Sequence, residues 1–296
     1  MCKPPMRVVG FTFIRNAISY DYPIVEAIQS IQPLCDEVVV AVGASNDDTL
    51  ELIRGLEGNL TILETEWDDD LREGGRVLAI ETNKALDAVT ADADWCIYIQ
   101  GDEVLHEDGH AEIYNAMELY LEDFRIEGLL VKYRHFYGSY DYVGTSSKWY
   151  KNEIRIIRNG IGIRSYRDAQ GFRKPNDLKL RVASLDAFMH HYGWVKHPEA
   201  MQLKQRSFHQ MWHDDEWIDS HIISGREYDY ARDVGQLARF EGTHPLPMRP
   251  RVRQQNWSFD TDISIDRRTW KDRFKEFCYQ RLGLEIGYKN YLAVRD

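Results

Sequence analysis

A chain of 296 residues, 43% hydrophobic and 29% charged, has an ordinary globular composition and the length for one large α/β domain or two smaller ones. Its net charge of −11 argues against wholesale nucleic-acid binding, and no apolar run approaches the ~18 residues of a membrane span. The four cysteines (2, 35, 96 and 278) have neither zinc spacing nor a disulfide pattern, and no apolar signal-peptide core opens the chain, so the expected compartment is the cytoplasm.

Residues 7–14 (RVVGFTFI) read as a first buried strand, with Arg15-Asn16 at its carboxyl end. Pro23 opens a helix whose buried stripe is Ile24, Ile28 and Ile31. Residues 37–42 (EVVVAV) form a second strand, and the polar loop 43–49 leads into a helix at 50–56, with Ser45 or Asn46 as cap and Asp47 and Asp48 suited to its positive end. A third strand covers 60–64. This β-α-β-α-β pattern is half of a doubly wound parallel sheet. The stretch 67–75 (WDDDLREGG) is irregular and reads as a solvated turn. A helix follows over 76–89, with Leu78, Ala85, Leu86 and Val89 on its apolar side.

Residues 95–99 (WCIYI) read as a buried strand that breaks into Gln100-Gly101-Asp102-Glu103. Carboxylates at the end of such a strand lie at the sheet edge where ligands bind in open α/β folds. Beyond it, a helix capped by Asp108 runs to 121, and 128–135 and 153–158 are further strands. Between those strands, 136–151 reads as a substrate-side loop. The connection 160–174 is polar, Gly-bearing and contains Asp168; 187–195 is a short apolar segment interrupted by His190-His191. Helices are expected at 198–213 and 226–240, then a Pro-rich crossing at 241–250. The last helix, 269–282, is amphipathic and basic, with Trp270, Phe274 and Phe277 on one side. From Pro247 onward 11 Lys and Arg stand against 7 Asp and Glu, a net of +4 that leaves −15 on the first 246 residues. Such a helix suits anionic lipid; the simpler expectation is that it docks on the acidic body.

Asp102 is the sharpest candidate for chemistry. A hard divalent cation that also binds phosphates needs only one or two protein carboxylates, so Asp102, a distant His191 or His190, and a diphosphate would complete its shell. The chain has no GxGxxG, no GxxxxGK[ST] and no GxSxG, which argues against nicotinamide cofactors, P-loop NTPases and α/β-hydrolases.

Four segments resemble the inverting family 2 glycosyltransferases of the GT-A fold, the nucleotide-sugar enzymes of bacterial cell-surface glycan assembly. FTFIRNA (11–17) is similar to the family's first strand ending in Asn, here Asn16; VGASNDDT (42–49) to its DDGSTDGT loop; ETNKAL (81–86) to its ARNxAL helix, matching Asn83; and YIQGDEVL (98–105) to its FLDADE segment, the metal-binding DxD motif. The match covers about residues 6–105, and HYGWV (191–195) and GTHP (242–245) resemble a bacterial subgroup.

The resemblance implies a Rossmann-like GT-A domain over 1–195, with a mostly parallel central sheet flanked by helices, and a mainly helical extension over 196–296. It implies a metal-dependent transferase that moves a sugar, with inversion, from a nucleotide-sugar donor to a glycan or lipid-linked acceptor. Membrane contact is at most peripheral, through the basic helix at the inner face. Donor-binding residues are then Thr12, Phe13, Arg15, Asn16, Asp47, Asn83, Gln100, Gly101 and Asp102. The cofactor is Mn²⁺ or Mg²⁺ on Asp102 and His191. Two departures stand out: Gln100 replaces the first Asp of DxD and brings no charge, and the acidic pair of the DDGS loop falls on Val42-Gly43, which leaves base recognition to Asp47, Thr12 or main chain. The general base is expected at Asp168, with Glu103 or Asp186 as alternatives. Arg155, Arg158 and Lys204 could touch diphosphate or pair at the surface, and Trp149 and Tyr150 could stack on acceptor sugar or serve packing. Two rivals remain: a sugar-1-phosphate nucleotidyltransferase, which would want a Gly-rich basic loop after strand one, and a non-catalytic nucleotide- or sugar-binding module.

Overall fold

The computed structural model describes residues 6–222, 227–230, 236–259, 261–263, 268–282, 286 and 289–294. The first apolar run forms β1 (Val8–Ile14), followed by α1 (Ile24–Ile31), β2 (Glu37–Gly43), α2 (Thr49–Arg54), β3 (Leu60–Thr65), α3 (Arg76–Asp87) and β4 (Trp95–Tyr98). Pairing is parallel from β3 through β2 and β1 to β4. The continuous apolar runs are explained by burial on both faces. Val8, Ile14, Val38, Val40, Trp95 and Ile97 face one core with Ile24, Ile28 and Ile31 of α1. The alternate residues Val9, Phe11, Val39, Ala41, Cys96 and Tyr98 face a second core, with Ala85 and Leu86 of α3. The expected Rossmann-like α/β arrangement is present.

Beyond β4 the chain forms β5 (Glu103–Leu105), α4 (His110–Leu119), β6 (Gly128–Tyr137), β7 (Ser139–Gly144), β8 (Asn152–Arg158), β9 (Arg164–Tyr166), β10 (Gly171–Arg173) and β11 (Arg181–Trp194). The sheet continues from β4 through antiparallel β8, β6 and β7. So 136–151 is not one loop: it begins with the end of β6 and the hairpin strand β7. The short apolar segment expected at 187–195 is the second half of a 14-residue strand. β11 lies between β5, antiparallel to it, and β6, parallel to it. That register sets His191 opposite Glu103 on one side and opposite His135 on the other.

The C-terminal part contains α5 (Pro198–Gln210), α6 (Asp215–His221), β12 (Leu237–Arg239), α7 (Arg249–Arg253), α8 (Trp270–Leu282) and β13 (Leu292–Ala293). It returns two strands to the sheet, β12 on β7 and β13 on β11. The helix expected at 226–240 ends instead in strand β12, while 226 and 231–235 lie outside the described residues. On α8, Trp270, Phe274 and Phe277 are 74%, 57% and 55% exposed among the described residues, so the helix meets the body through its other side, where Asp272 accepts from Ser147 Oγ at 2.5 Å, and not through its aromatic face. Among the described residues no helix is long and apolar enough to cross a membrane.

Candidate functional site

A cavity of about 710 Å³ opens where the carboxyl ends of β1 and β4 meet α5 and the segment after β3. This is the sheet edge at which α/β folds bind ligands. The loops leaving β1 and β2 are locked together there. Asn16 adopts φ +52°, its Oδ1 accepts from the Asn46 amide at 2.7 Å, and its own amide donates to Ser45 Oγ at 3.0 Å. Asn and Asp tolerate this left-handed backbone better than other side chains, which accounts for an Asn at the turn. Arg15 donates from Nε to the Ala44 carbonyl at 3.0 Å, forms an ion pair with Asp69 and lies 5.5 Å from the Trp67 ring.

At the end of β4, Asp102 projects into the same cavity and meets β11 and α5. Lys204 Nζ donates to Asp102 Oδ2 at 3.0 Å and to the Gly193 carbonyl at 2.8 Å. His191 Nε2 lies 3.8 Å from Asp102 Oδ1. Burial pushes the Asp102 carboxyl up, but the charges around it, led by the Lys204 ammonium, more than offset this and hold it well below the usual carboxylate range. Burial holds the His191 imidazole below its ordinary value, so it is biased towards the neutral form that binds metals. Gly193 is required here. A Cβ at that position would stand 2.7 Å from Asp102 Oδ2 and 2.9 Å from His191 Nε2. An ionised carboxylate oxygen and an imidazole nitrogen 3.8 Å apart, with Lys204 on the other carboxylate oxygen, fit two ligands of a divalent cation. Among the described residues no third His, Cys, Asp or Glu joins them, so the remaining ligands would come from a bound phosphate group or water.

Ten of the residues singled out in the sequence for a site role line this cavity: Phe13, Arg15, Asn16, Gln100, Gly101, Asp102, Tyr150, Asp168, His191 and Lys204. Gln100 Nε2 donates to the Ala169 carbonyl at 3.1 Å, which ties the end of β4 to the Asp168 segment. What approaches Gly101 is protein: a Cβ there would stand 2.9 Å from Ile14 Cδ1. Asp168 is half-buried and has no side-chain hydrogen bond or ion pair among the described residues.

Other expectations are corrected by the fold. Glu103 and Arg155 are 0% and 1% exposed and form a buried ion pair, with Tyr133 Oη also donating to Glu103 at 2.7 Å, so neither faces the cavity as a base or a phosphate ligand. Arg158 donates to the carbonyls of Tyr120, Leu121 and Ile126, where it satisfies chain ends near the close of α4. Asn83 exchanges two hydrogen bonds with the Ser165 main chain, at 3.0 and 2.9 Å, and joins α3 to β9 instead of reaching a donor. Thr12 is fully buried within β1. Asp47 accepts from the Ser19 and Thr49 amides and organises its own loop. Asp186 is ion-paired with Lys132 at 2.8 Å on the surface, Trp149 is packed on His135, and His190 contacts Arg134 and Tyr192 away from the cavity.

Residues that sequence reasoning passed over are also present. Trp67 and Asp69, from the stretch read as a solvated turn, form one wall with Phe13, whose ring lies 5.8 Å from that of Trp67. A tryptophan beside three aspartates was the available signal, since a large aromatic is rarely left in solvent. Tyr22 lies under the ammonium groups of Lys196 and Lys204, at 4.5 and 5.0 Å.

No family model matches the chain, and no curated protein is similar to it. Among solved structures it is similar to S. aureus TarS 1-349, at 17% identity and a TM-score of 0.40, over 68% of this chain and 64% of that one. The same protein in complex with UDP gives 18% and 0.41 over 68% and 64%, and in complex with UDP-GlcNAc 16% and 0.39 over 68% and 65%. A 4-diphosphocytidyl-2C-methyl-D-erythritol synthase from Anaerococcus prevotii is similar at 10% identity and a TM-score of 0.30, over 52% of this chain and 71% of that one. The chain thus spans less than two thirds of the length of the first TarS structures it resembles.

Proposed function

We propose that this protein is a glycosyltransferase that moves a sugar from a nucleotide-sugar donor to a hydroxyl of a glycan or lipid-linked acceptor, with inversion. The observation that carries this reading is the convergence of Asn16, Asp102, His191 and Lys204 on one cavity at the carboxyl edge of the sheet. The segments that carry Asn16 and Asp102 are two of those that resemble the family's motifs, and His191 lies in the segment that resembles a bacterial subgroup. In the reaction the bond from the anomeric carbon to the diphosphate breaks while the acceptor oxygen attacks from the opposite face. Asp102 and His191 would hold a divalent ion, which when bound neutralises the departing diphosphate. Lys204, which lines the cavity and donates to Asp102, would add a second positive charge beside that group. Asp168 takes the acceptor proton; its place in the cavity, without a competing side-chain partner among the described residues, supports this role. Tyr150 and Trp67 offer aromatic surface for sugar or base. Arg15, the one cation directly after β1, is engaged by Asp69. A nucleotidyltransferase would want a freer, Gly-rich basic loop there.

The exposed face of α8 supports a peripheral membrane contact beside a lipid-linked acceptor. The test of the whole reading is turnover of a panel of nucleotide sugars with Mn²⁺ or Mg²⁺, with Asp102→Ala as control. Wild type should release nucleoside diphosphate from at least one donor and the variant should not. Failure of every donor to bind or react would overturn the reading, and reaction with nucleoside triphosphates alone would favour the nucleotidyltransferase.

A further inference from the structure

His191 is held by a neighbour that the cavity does not contain. His135 lies beside it across the β6–β11 pair and is 2% exposed. His135 Nε2 is 2.9 Å from the main-chain oxygen of Tyr150, and its Nδ1 is 3.3 Å from Nδ1 of His191. The Tyr150 oxygen has only lone pairs, so the proton in that contact is on His135 Nε2. The ring stacks on Trp149 and Tyr133, with centroids 5.0 and 5.5 Å away, and among the described residues no carboxylate is hydrogen-bonded to it. A second proton would therefore be a buried charge with no hydrogen-bonded counter-ion among the described residues. His135 Nδ1 is then an acceptor, and the proton between the two rings belongs to His191 Nδ1. A neutral imidazole carries one proton, so His191 Nε2 presents a lone pair, and it faces Asp102 Oδ1.

We infer that His135 is a positioning residue: by accepting the Nδ1 proton of His191 it fixes the tautomer in which His191 offers Nε2 to a divalent cation beside Asp102. Metal-binding histidines generally donate their second ring proton to a carboxylate, a carbonyl or water, and that partner sets the tautomer. Here the partner is a second imidazole, itself oriented by a main-chain carbonyl. The chain of contacts runs from the Tyr150 carbonyl through both rings to the cavity, and each link decides which way the next must point. The inference rests on the metal-assisted reading of the cavity for its purpose, but the tautomer can be read without donor or metal.

The decisive experiment uses the whole protein labelled with ¹⁵N-histidine. Long-range ¹H–¹⁵N correlation should show His191 protonated on Nδ1 and bare on Nε2, with the opposite arrangement for His135. In His135→Phe, which keeps the stacking but removes the acceptor, His191 should shift towards the Nε2-protonated form. Mn²⁺ binding, followed by the loss of the free-ion paramagnetic signal, should weaken roughly 10- to 100-fold in His135→Phe. His135→Gln, whose side-chain oxygen can accept the same proton, should recover most of that loss. A wild-type His191 protonated on Nε2 would overturn the inference, and this result needs no variant to fold. Equal Mn²⁺ affinity in wild type and His135→Phe would also overturn it, as would no Mn²⁺ binding by wild type. If the tautomer and Mn²⁺ results hold while no nucleotide sugar is turned over, it is the transferase reading that fails.

Discussion

Replacing Glu103 by Gln separates a structural carboxylate from a catalytic one. In the fold, Glu103 Oε1 accepts from Arg155 Nη2 and Tyr133 Oη, both at 2.7 Å, and Oε2 accepts from Arg155 Nε at 2.8 Å and the Gln100 amide at 3.1 Å. Four donors converge on two oxygens with no water-accessible face. A glutamine has one oxygen and one NH₂, so its amide confronts the Arg155 Nε and Gln100 N–H donors in one orientation and the Arg155 Nη2 donor in the other, where the Tyr133 hydroxyl can turn to accept. The Arg155 guanidinium also loses its counter-charge while remaining buried between the Tyr98 and Tyr133 rings, at 5.2 and 5.4 Å. Breaking one side of a buried pair costs about 3–5 kcal/mol, a large share of the about 5–15 kcal/mol that holds a typical domain. Urea denaturation followed by far-UV circular dichroism should show a loss of this size. A loss below about 1 kcal/mol, with turnover abolished in a normally folded variant, would refute the reasoning and return Glu103 to candidacy as the base.

Asp168→Asn should leave the urea midpoint and donor affinity unchanged while transfer falls roughly 10²–10⁴-fold; unchanged transfer, measured against calorimetric donor binding, would remove Asp168 from the mechanism. Burial pushes the Glu153 carboxyl up to about 7 from 4.5, and its Oε2 has no hydrogen-bond partner among the described residues. The folded state then holds a proton that the unfolded state has released, so Glu153 favours folding below about 4.5 and that contribution is lost as pH rises through about 7. Glu153→Gln should flatten the fall in stability between these limits, measured by thermal unfolding across pH; an unaltered slope would rule this out. Anionic vesicles should sediment the wild-type protein in a salt-sensitive way and lose it on the paired change Phe274→Ser and Phe277→Ser, whereas equal binding to neutral vesicles, or none, would count against a membrane role for α8.

The Rossmann-like half of the fold is legible because its signal is local. Short continuous apolar runs at β1, β2 and β4, two of them rich in Val, read as strands buried on both faces, and the Ile24, Ile28 and Ile31 spacing reads as helical. The second half is harder to read because its strands are set by long-range pairing. β11 alternates buried and exposed residues until it is covered on both sides, so only its apolar second half stood out. The same limit applies to the site. Asp102 is visible as charge at a strand end, and His191 as a histidine in an apolar segment. That the two meet depends on β11 inserting between β5 and β6, which no local pattern encodes. Glu103 and Asn83 misled for a related reason: a polar residue in a motif can serve the motif's scaffold. Both are consumed by buried partners far away in sequence, Arg155 and the Ser165 main chain. The aromatic face of α8 suggested docking because exposed aromatics are costly, and that cost is what a membrane surface would remove.

In the proposed reaction the cavity at the ends of β1 and β4 would hold the diphosphate of a nucleotide sugar against Asp102. Crystals soaked with nucleoside diphosphates and Mn²⁺ test it most directly. Diphosphate density is expected beside Asp102 and Lys204, with an anomalous manganese signal in contact with Asp102 and His191. Nucleotide bound elsewhere, or manganese absent from that pair while nucleotide is present, would contradict it.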